Sequence, residues 1–298
     1  MMKHFLLFLL CLILISNAGY SQRWKKERFQ VAYGLGAANF LGELGGANDV
    51  GSNFAKDLEF AATRPSTSIL LRYRLTQKIA LRGSFALGYV SGADSLTQEI
   101  HRHYRNLSFR SPILELSGQV EYNIIKEKDA RRYRLRGARG GGAFTPNLYV
   151  FVGLGGFYFN PQAKLNGKWY NLHSYGTEGQ KLGDLAPTRQ PYSRLSVAIP
   201  YGLGMRFPVN RTFAIGLEFG IRKTFTDYID DVSTTYVDNK TLENSTGGII
   251  AAQLADRSPE INAGYTQRGD PTNKDTYMFL FVSVYYKIRT GRRNLPSF

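Results

Sequence analysis

The stretch Ile199–Arg222, IPYGLGMRFPVNRTFAIGLEFGIR, decides the fold, because large apolar residues recur in it at every second position. Successive side chains of a β-strand point to opposite faces, so this spacing predicts strands with one apolar face and one face of small or charged residues. The turn Pro208–Thr212 divides the stretch into the two strands of a hairpin. The class of protein then depends on what the apolar face contacts.

The N-terminal residues predict export. Residues 1–21 combine an early lysine, Lys3, with an uninterrupted apolar run from Phe5 to Ile15 and small residues ahead of Gln22. This is the pattern of a cleaved secretory signal peptide, and its apolar run is too short for a membrane-spanning helix. The single cysteine, Cys11, lies within this segment. We therefore expect a mature domain, residues 22–298, without a disulfide or a lipid anchor.

The same alternation recurs along the rest of the chain. It predicts eight strands, which are the two of the opening hairpin together with 29–37, 68–75, 79–89, 113–124, 148–159 and 277–288. The connections 38–67, 90–112, 160–193 and 226–276 are long, whereas the intervening ones are shorter, the middle one (125–147) only moderately so. Short turns at one end and long loops at the other are typical of outer-membrane barrels. We predict an all-β, eight-stranded antiparallel transmembrane up-and-down β-barrel in the outer membrane, with short periplasmic turns, long extracellular loops and lipid around its apolar face.

A secreted β-sandwich is the alternative, since its strands would alternate in the same way with the apolar face in a dry core. The slightly polar mean hydropathy of −0.27 does not separate the two folds, because the strands of a membrane barrel average to neutral. A sandwich does not need the regular change between long and short connections. The pattern favours the barrel, in a single domain.

Charged residues on the predicted inward face form a second pattern. An unpaired buried ion is costly, and an eight-stranded barrel is only wide enough for its side chains to fill it. We therefore predict a salt-bridged plug and not a conduction path. Its members are Arg72, Arg74, Arg82, Glu115, Glu121, Glu218 and Arg222.

The net charge of +15 is unevenly distributed. Basic segments begin the mature chain (22–28, QRWKKER), form its middle turn (126–142, KEKDARRYRLRGARGGG) and close it (287–294, KIRTGRRN). An even strand number places all three at the periplasmic rim, where they suggest an acidic partner. A topology or solubility effect, or attraction to anionic lipid, is the alternative, and export excludes nucleic acid. The docking candidates are Arg131, Arg132, Arg134, Arg136, Arg139, Arg289, Arg292 and Arg293.

The last long loop is acidic instead, and it contains Asp227, Asp230, Asp231, Asp238, Glu243, Asp256, Glu260, Asp270 and Asp275. The first four supply enough oxygens for calcium, but their spacing does not match a D-x-D-x-D-G loop. His101 and His103 lack the cysteines or spaced carboxylates of a metal site, and no Ser-His-Asp set lies on credible strands. We predict no enzyme activity, no cofactor and no metal. In the third outer loop, Asn166–Gly167 predicts a hairpin turn.

Three segments resemble the PorG-like outer-membrane barrel family of Bacteroidota: GLEFGIRKTFTDYIDDVSTTYVD (216–238), FTPNLYVFVGLGGFYFNPQAKLNG (144–167) and QRGDPTNKDTYMFLFVSVYYKI (267–288). The resemblance covers essentially the whole mature chain, and residues 222–238 are its most specific part. It implies a non-enzymatic component of the type IX protein secretion machinery. In that role the barrel would anchor, at the outer membrane, a periplasmic ring built by PorK and PorN.

A paralogue with another role is the remaining possibility, because some genomes hold several members of this family. The corresponding alternative is an independent surface barrel, acting as an adhesin or ligand-binding protein through its acidic extracellular loops.

Overall fold

The structure, a computed structural model, describes residues 27–44, 60–97, 100–125, 146–183, 186, 188–210, 212–260, 264 and 266–288. The predicted signal peptide, residues 1–21, and its boundary at residue 22 lie outside the described residues.

The described chain forms ten β-strands and four α-helices. The strands are β1 Phe29–Leu41, β2 Arg64–Arg74, β3 Ile79–Ala93, β4 Ser108–Asn123, β5 Asn147–Phe159, β6 Gln162–Leu165, β7 Lys168–Asn171, β8 Leu195–Pro208, β9 Phe213–Thr224 and β10 Thr276–Ile288. The helices are α1 Ile100–Arg105, α2 Leu172–Tyr175, α3 Asn239–Glu243 and α4 Gly248–Ala255, with short 3₁₀ turns at Phe60–Ala62 and Asp94–Leu96.

Eight of the strands close into an antiparallel barrel, which confirms the predicted fold class. Chain neighbours pair around it in the order β1, β2, β3, β4, β5, β8, β9, β10, and β10 pairs with β1 in the register Phe29↔Ile288. Closure leaves the barrel strands without a free edge, as a bilayer requires of any sheet that spans it. The short β6–β7 hairpin extends from β4 outside this ring.

The outward face of the barrel is apolar. Leu203 and Leu217, from the hairpin of residues 199–222, are 52% and 39% exposed, and Leu116 on β4 is 66% exposed. Strands of 11 to 16 residues are long enough to cross the hydrocarbon layer when tilted. Such a belt is stable only against lipid, so the barrel lies in the outer membrane. A sandwich is excluded, because a single closed sheet carries its apolar face on the outside.

Among the described residues, no helix combines the length and the apolar character that a membrane-spanning helix needs.

The connections are unequal in length, but the predicted alternation is not strict, because the middle inner connection, 124–146, is longer than the second outer connection, 94–107. The second outer connection is shorter than 90–112, because β3 and β4 stay paired out to Ala93↔Ser108. The third contains the hairpin predicted at Asn166–Gly167, which is confirmed by β6–β7 pairing and by positive φ values of 49° and 81° at these two residues. The fourth contains α3 and α4.

The inward face is not only small and charged, as the alternation had suggested. Aromatic side chains from β5 and β10 point inward along with the charges, and they include Tyr149, Phe157, Phe279 and Tyr285. Glycines on neighbouring strands make room for some of these rings. A Cβ at Gly204 would collide with the ring of Tyr149, and one at Gly216 with that of Tyr285.

Candidate functional site

The periplasmic half of the barrel contains a buried group of ion pairs, which we call the interior charge network. Glu121 on β4 is its centre, and its Oε1 accepts hydrogen bonds from Nη2 of Arg72 at 2.6 Å and from Nη2 of Arg206 at 2.7 Å. Arg82 donates to Glu218 at 2.7 Å and lies 3.8 Å from the second oxygen of Glu121. Opposite charges thus meet across the barrel where water is excluded.

A second ion pair lies nearer the extracellular end. Arg222 on β9 donates to Glu115 on β4 at 3.1 Å, and the hydroxyl of Tyr277 donates to the same Glu115 oxygen at 2.9 Å. Arg74 is also buried, at the periplasmic end of β2. The structure therefore places all seven side chains of the predicted plug inside the barrel.

Two contributors to the network, Arg206 and Tyr149, were not among the predicted residues. Arg206 lies on the small and charged face of the stretch Ile199–Arg222, and this position already indicated that its side chain points into the barrel. Tyr149 donates its hydroxyl to Glu218 at 2.7 Å, and the guanidinium of Arg206 lies 4.3 Å from the Tyr149 ring centre. The sequence of β5 is apolar on both faces, so it did not indicate that the side chain of Tyr149 points into the barrel.

The extracellular half of the interior is filled by apolar side chains. Phe157, Phe159 and Phe279 form part of one buried cluster there. Ile229 and Val232, which belong to the loop between β9 and β10, complete this cluster from above and are fully buried. The described interior is therefore packed with side chains in both halves, and the arrangement suits a plug better than a pore.

The loops above the barrel pack into a structure that we call the extracellular cap, comprising the described parts of 42–63, 94–107, 160–194 and 225–275. It has apolar clusters of its own, one of which unites Val237 and Leu242 with Ala252 of α4. Its most buried ion pair joins Arg268 to Glu178 at 2.8 Å. Glu178 also accepts hydrogen bonds from the backbone of residues 233 and 234, so the cap is held by polar contacts as well as by packing.

An aromatic stack fixes the cap to the barrel. The Tyr192 ring stacks between Phe159 at 6.1 Å and Tyr228 at 4.5 Å. Its hydroxyl donates to Asp231 at 2.6 Å. Burial raises the pKa of Asp231 to about 6, although Arg268 opposes that shift, and burial also raises the pKa of Tyr192. Asp231 therefore serves as a buried acceptor between the stack and the cap.

Four carboxyl groups lie together at the base of the cap, namely Glu43, Asp227, Asp230 and Asp275. One oxygen from each of Glu43, Asp227 and Asp275 lies within 4.8 Å of the others, and these are the residues that could hold a metal. Burial, followed by repulsion from Asp230 and Asp227, raises the pKa of Glu43 to about 9. Burial raises the pKa of Asp227 to about 6 and that of Asp230 to about 7, and holds the pKa of Asp275 well above its usual value.

The predicted acidic outer surface is therefore partly inside the cap. Asp227, Asp230, Asp231 and Asp275 are at most 2% exposed, whereas Glu243 and Glu260 are exposed. His103 is exposed on α1, a helix and not the strand that a shared site with His101 would need. No spacing rule could have brought Glu43 to Asp275, because they come from opposite ends of the chain.

The predicted docking arginines at the periplasmic rim lie outside the described residues: Arg131, Arg132, Arg134, Arg136, Arg139, Arg289, Arg292 and Arg293. The strand ends that flank them are described. Asn123 and Asn147, which border the middle turn, lie at the barrel end opposite the cap, and β10 finishes there at Ile288.

Comparison with known proteins gives a family but no activity. The family model described as "Domain of unknown function (DUF6089)" matches residues 3–252. None of the curated proteins compared with the chain matches it significantly.

Among solved structures, the chain is similar to Ail, the attachment invasion locus protein of Yersinia pestis, at 11% identity and a TM-score of 0.37, covering 88% of this chain and 99% of that one. It is similar to Neisserial surface protein A at 10% identity and a TM-score of 0.38, with coverage of 87% and 97%. It is similar to the N-terminal β-barrel domain of Pseudomonas aeruginosa OprF at 8% identity and a TM-score of 0.34, covering 88% of this chain and 98% of that one. These scores are too low to carry an argument, and the fold rests on the chain's own strand pairing.

Proposed function

Because this chain belongs to the DUF6089 family and closes into an outer-membrane barrel, we propose that it is a non-enzymatic anchor of a type IX secretion machinery. In this role it docks a periplasmic ring complex at the outer membrane. The observation that carries the proposal is the filled interior, with Glu121 and its arginines in one half and aromatic rings in the other. Because side chains fill the interior of this barrel, its two rims are the surfaces available for binding partners.

The charge at the periplasmic rim supports docking there. The basic segments 22–28, 126–142 and 287–294 all adjoin strand ends on the side opposite the cap. Several arginines on one rim attract an acidic surface and speed its association. The resemblance to PorG-like barrels suggests that the partner is a ring resembling the one built by PorK and PorN.

The experiment is a charge reversal at the middle turn. Arg131, Arg132 and Arg134 are changed together to Glu, and the barrel is purified from detergent-solubilised membranes with whatever associates with it. We expect the periplasmic ring proteins to be lost, because the rim changes from attractive to repulsive. The matched control reverses three exposed lysines of the cap, Lys164, Lys168 and Lys181.

Unchanged recovery of the ring in the arginine variant would exclude docking through this turn. Equal loss in both variants would show that net charge, and not the rim, governs association. Recovery of the folded barrel in the membrane fraction is measured for both variants, so that failed assembly is recognised.

A surface-binding role remains the second candidate, because the cap is a folded structure with its own cores. Asp227, Asp230, Asp231 and Asp275 are buried, so they cannot attract a ligand at the surface of the cap. A binding role for the cap must therefore rely on its exposed acidic residues. Changing the exposed Glu243 and Glu260 to Lys tests this role. Lost surface binding with an intact ring complex would favour it over docking.

A further inference from the structure

The carboxyl groups of Glu43, Asp227 and Asp275, at the base of the cap, share a feature that packing does not explain. In each of three side chains, one oxygen is held by a donor and the other is buried without a hydrogen-bond partner. The held oxygens are Oε1 of Glu43, bonded by the Asp270 N–H at 3.1 Å, Oδ2 of Asp227, bonded by the Ser233 hydroxyl at 2.7 Å, and Oδ2 of Asp275, bonded by the Ile229 N–H at 2.8 Å.

The remaining oxygens are Oε2 of Glu43, Oδ1 of Asp227 and Oδ1 of Asp275, and each is buried without a partner. A carboxylate oxygen in that situation loses its hydration and gains nothing in return, at a substantial cost in free energy. Three such groups facing one another add mutual repulsion. Asp230 lies close behind them, but the backbone N–H groups of Leu44 and Val232 bond both of its oxygens.

Nearby cations relieve this charge only in part, because their side chains are held by other groups. Arg105 faces Asp230, but its guanidinium holds Asp94 through two hydrogen bonds of 2.8 Å. Lys274 faces Asp227 and donates to the carbonyl of Pro271 at 2.6 Å. Once ionised, the clustered carboxyl groups would carry more negative charge than these cations balance, and a small cation could neutralise that charge in place of the protons.

We propose that Glu43, Asp227 and Asp275 bind a calcium ion that joins the first and last extracellular loops. Calcium ligands lie about 2.3–2.6 Å from the ion, so oxygens on opposite sides of it stand about 5 Å apart. The observed limit of 4.8 Å fits that geometry. All three donors are hard oxygens without His or Cys, which favours calcium over zinc, and binding by three protein carboxylates is more usual for calcium than for magnesium, which keeps several of its waters.

Barrel closure positions the ligands. Leu41 pairs with Thr276 at the last rung of the β1–β10 ladder, so Glu43 and Asp275 leave the barrel side by side. Asp275 is fixed further because its carbonyl accepts the Thr224 hydroxyl at 2.7 Å. Gly42 lacks a side chain where a Cβ would lie 2.5 Å from Oδ1 of Asp275, which keeps that oxygen open.

The test uses the full mature barrel in detergent micelles, titrated calorimetrically with CaCl₂ after removal of divalent ions with EDTA. We expect one saturable site per chain with a dissociation constant on the order of 10⁻⁴–10⁻³ M, which is usual for extracellular calcium modules. MgCl₂ should bind more weakly. Calcium should also slow proteolysis of the cap, because the ion joins two loops that otherwise repel.

Two charge-neutralising variants identify the ligands. Asp275→Asn and Glu43→Gln should each weaken calcium binding by about tenfold or more, because each removes a charged ligand. The matched control, Glu243→Gln, removes the same charge from an exposed position of the cap and should bind calcium as the wild type does.

The wild-type titration decides the question even if a variant fails to fold. Absence of saturable calcium binding would overturn the proposal and would indicate that the carboxyl groups share protons instead. Binding of the same strength in wild type and in folded Asp275→Asn would place the ion elsewhere and would overturn it as well.

Discussion

Glu121→Gln tests whether the interior charge network holds the barrel together. The substitution keeps the size of the side chain and removes only its charge. Arg72, Arg82 and Arg206 then share one negative charge fewer, and their side chains and that of Glu121 are at most 1% exposed. Removing one member of a buried ion pair costs about 3–5 kcal/mol. Glu218 still neutralises Arg82, so we expect a loss within that range.

The free energy of unfolding of a folded domain is typically about 5–15 kcal/mol, so this loss is a large fraction of the total stability. The assay is urea unfolding of the barrel in lipid vesicles, followed by far-UV circular dichroism of the strands and by the gel mobility of unheated samples. The variant should unfold at a clearly lower urea concentration. The slope of its unfolding free energy against urea concentration should not change, since the surface exposed on unfolding stays the same.

Two further variants check the reasoning. Glu260→Gln removes a charge from an exposed loop position and should change stability by no more than about 0.5 kcal/mol. The double variant Glu121→Gln/Arg206→Gln restores the charge balance, so it should recover part of the loss, with a coupling of about 1–3 kcal/mol. If Glu121→Gln unfolds with the wild-type midpoint, the network contributes nothing to stability and the argument from buried charge is wrong.

Three other predictions concern the lipid-facing belt and the cap. Leu116→Arg on the outward face of β4 should destabilise the barrel by roughly 2–4 kcal/mol, whereas Leu195→Arg at the outer end of β8 should cost about 0–1 kcal/mol. Equal losses in the same unfolding assay would contradict the lipid contact inferred for the belt. Burial raises the pKa of folded Asp231 from 3.8 to about 6, so its ionisation opposes folding, and stability should fall as pH rises from about 4 to about 6. Asp231→Asn should lack this part of the decline, and identical pH profiles of the two proteins would refute the shift. Arg268→Met leaves the buried Glu178 without its ion-pair partner, so the cap should be cleaved faster in limited proteolysis while the urea midpoint of the barrel hardly changes. Wild-type cleavage rates would show that this ion pair does not hold the cap.

The sequence by itself determined the barrel and its orientation of faces. In the opening stretch, Leu203 and Leu217 could be assigned to lipid because the pleat of a strand fixes locally which side a residue occupies. Lipid requires only that this side be apolar, so no knowledge of partners was needed. The same local rule was sufficient to assign Arg72, Glu121 and Glu218 to the inward face.

Only the tertiary structure decided which inward groups meet. The pairing of Glu121 with Arg206, the hydrogen bond from Tyr149 to Glu218, and the aromatic filling above depend on the register and curvature of the closed sheet. The carboxylates of Glu43 and Asp275 meet because β1 pairs with β10 when the barrel closes. Contacts of this kind join distant parts of the chain, and local periodicity carries no information about them.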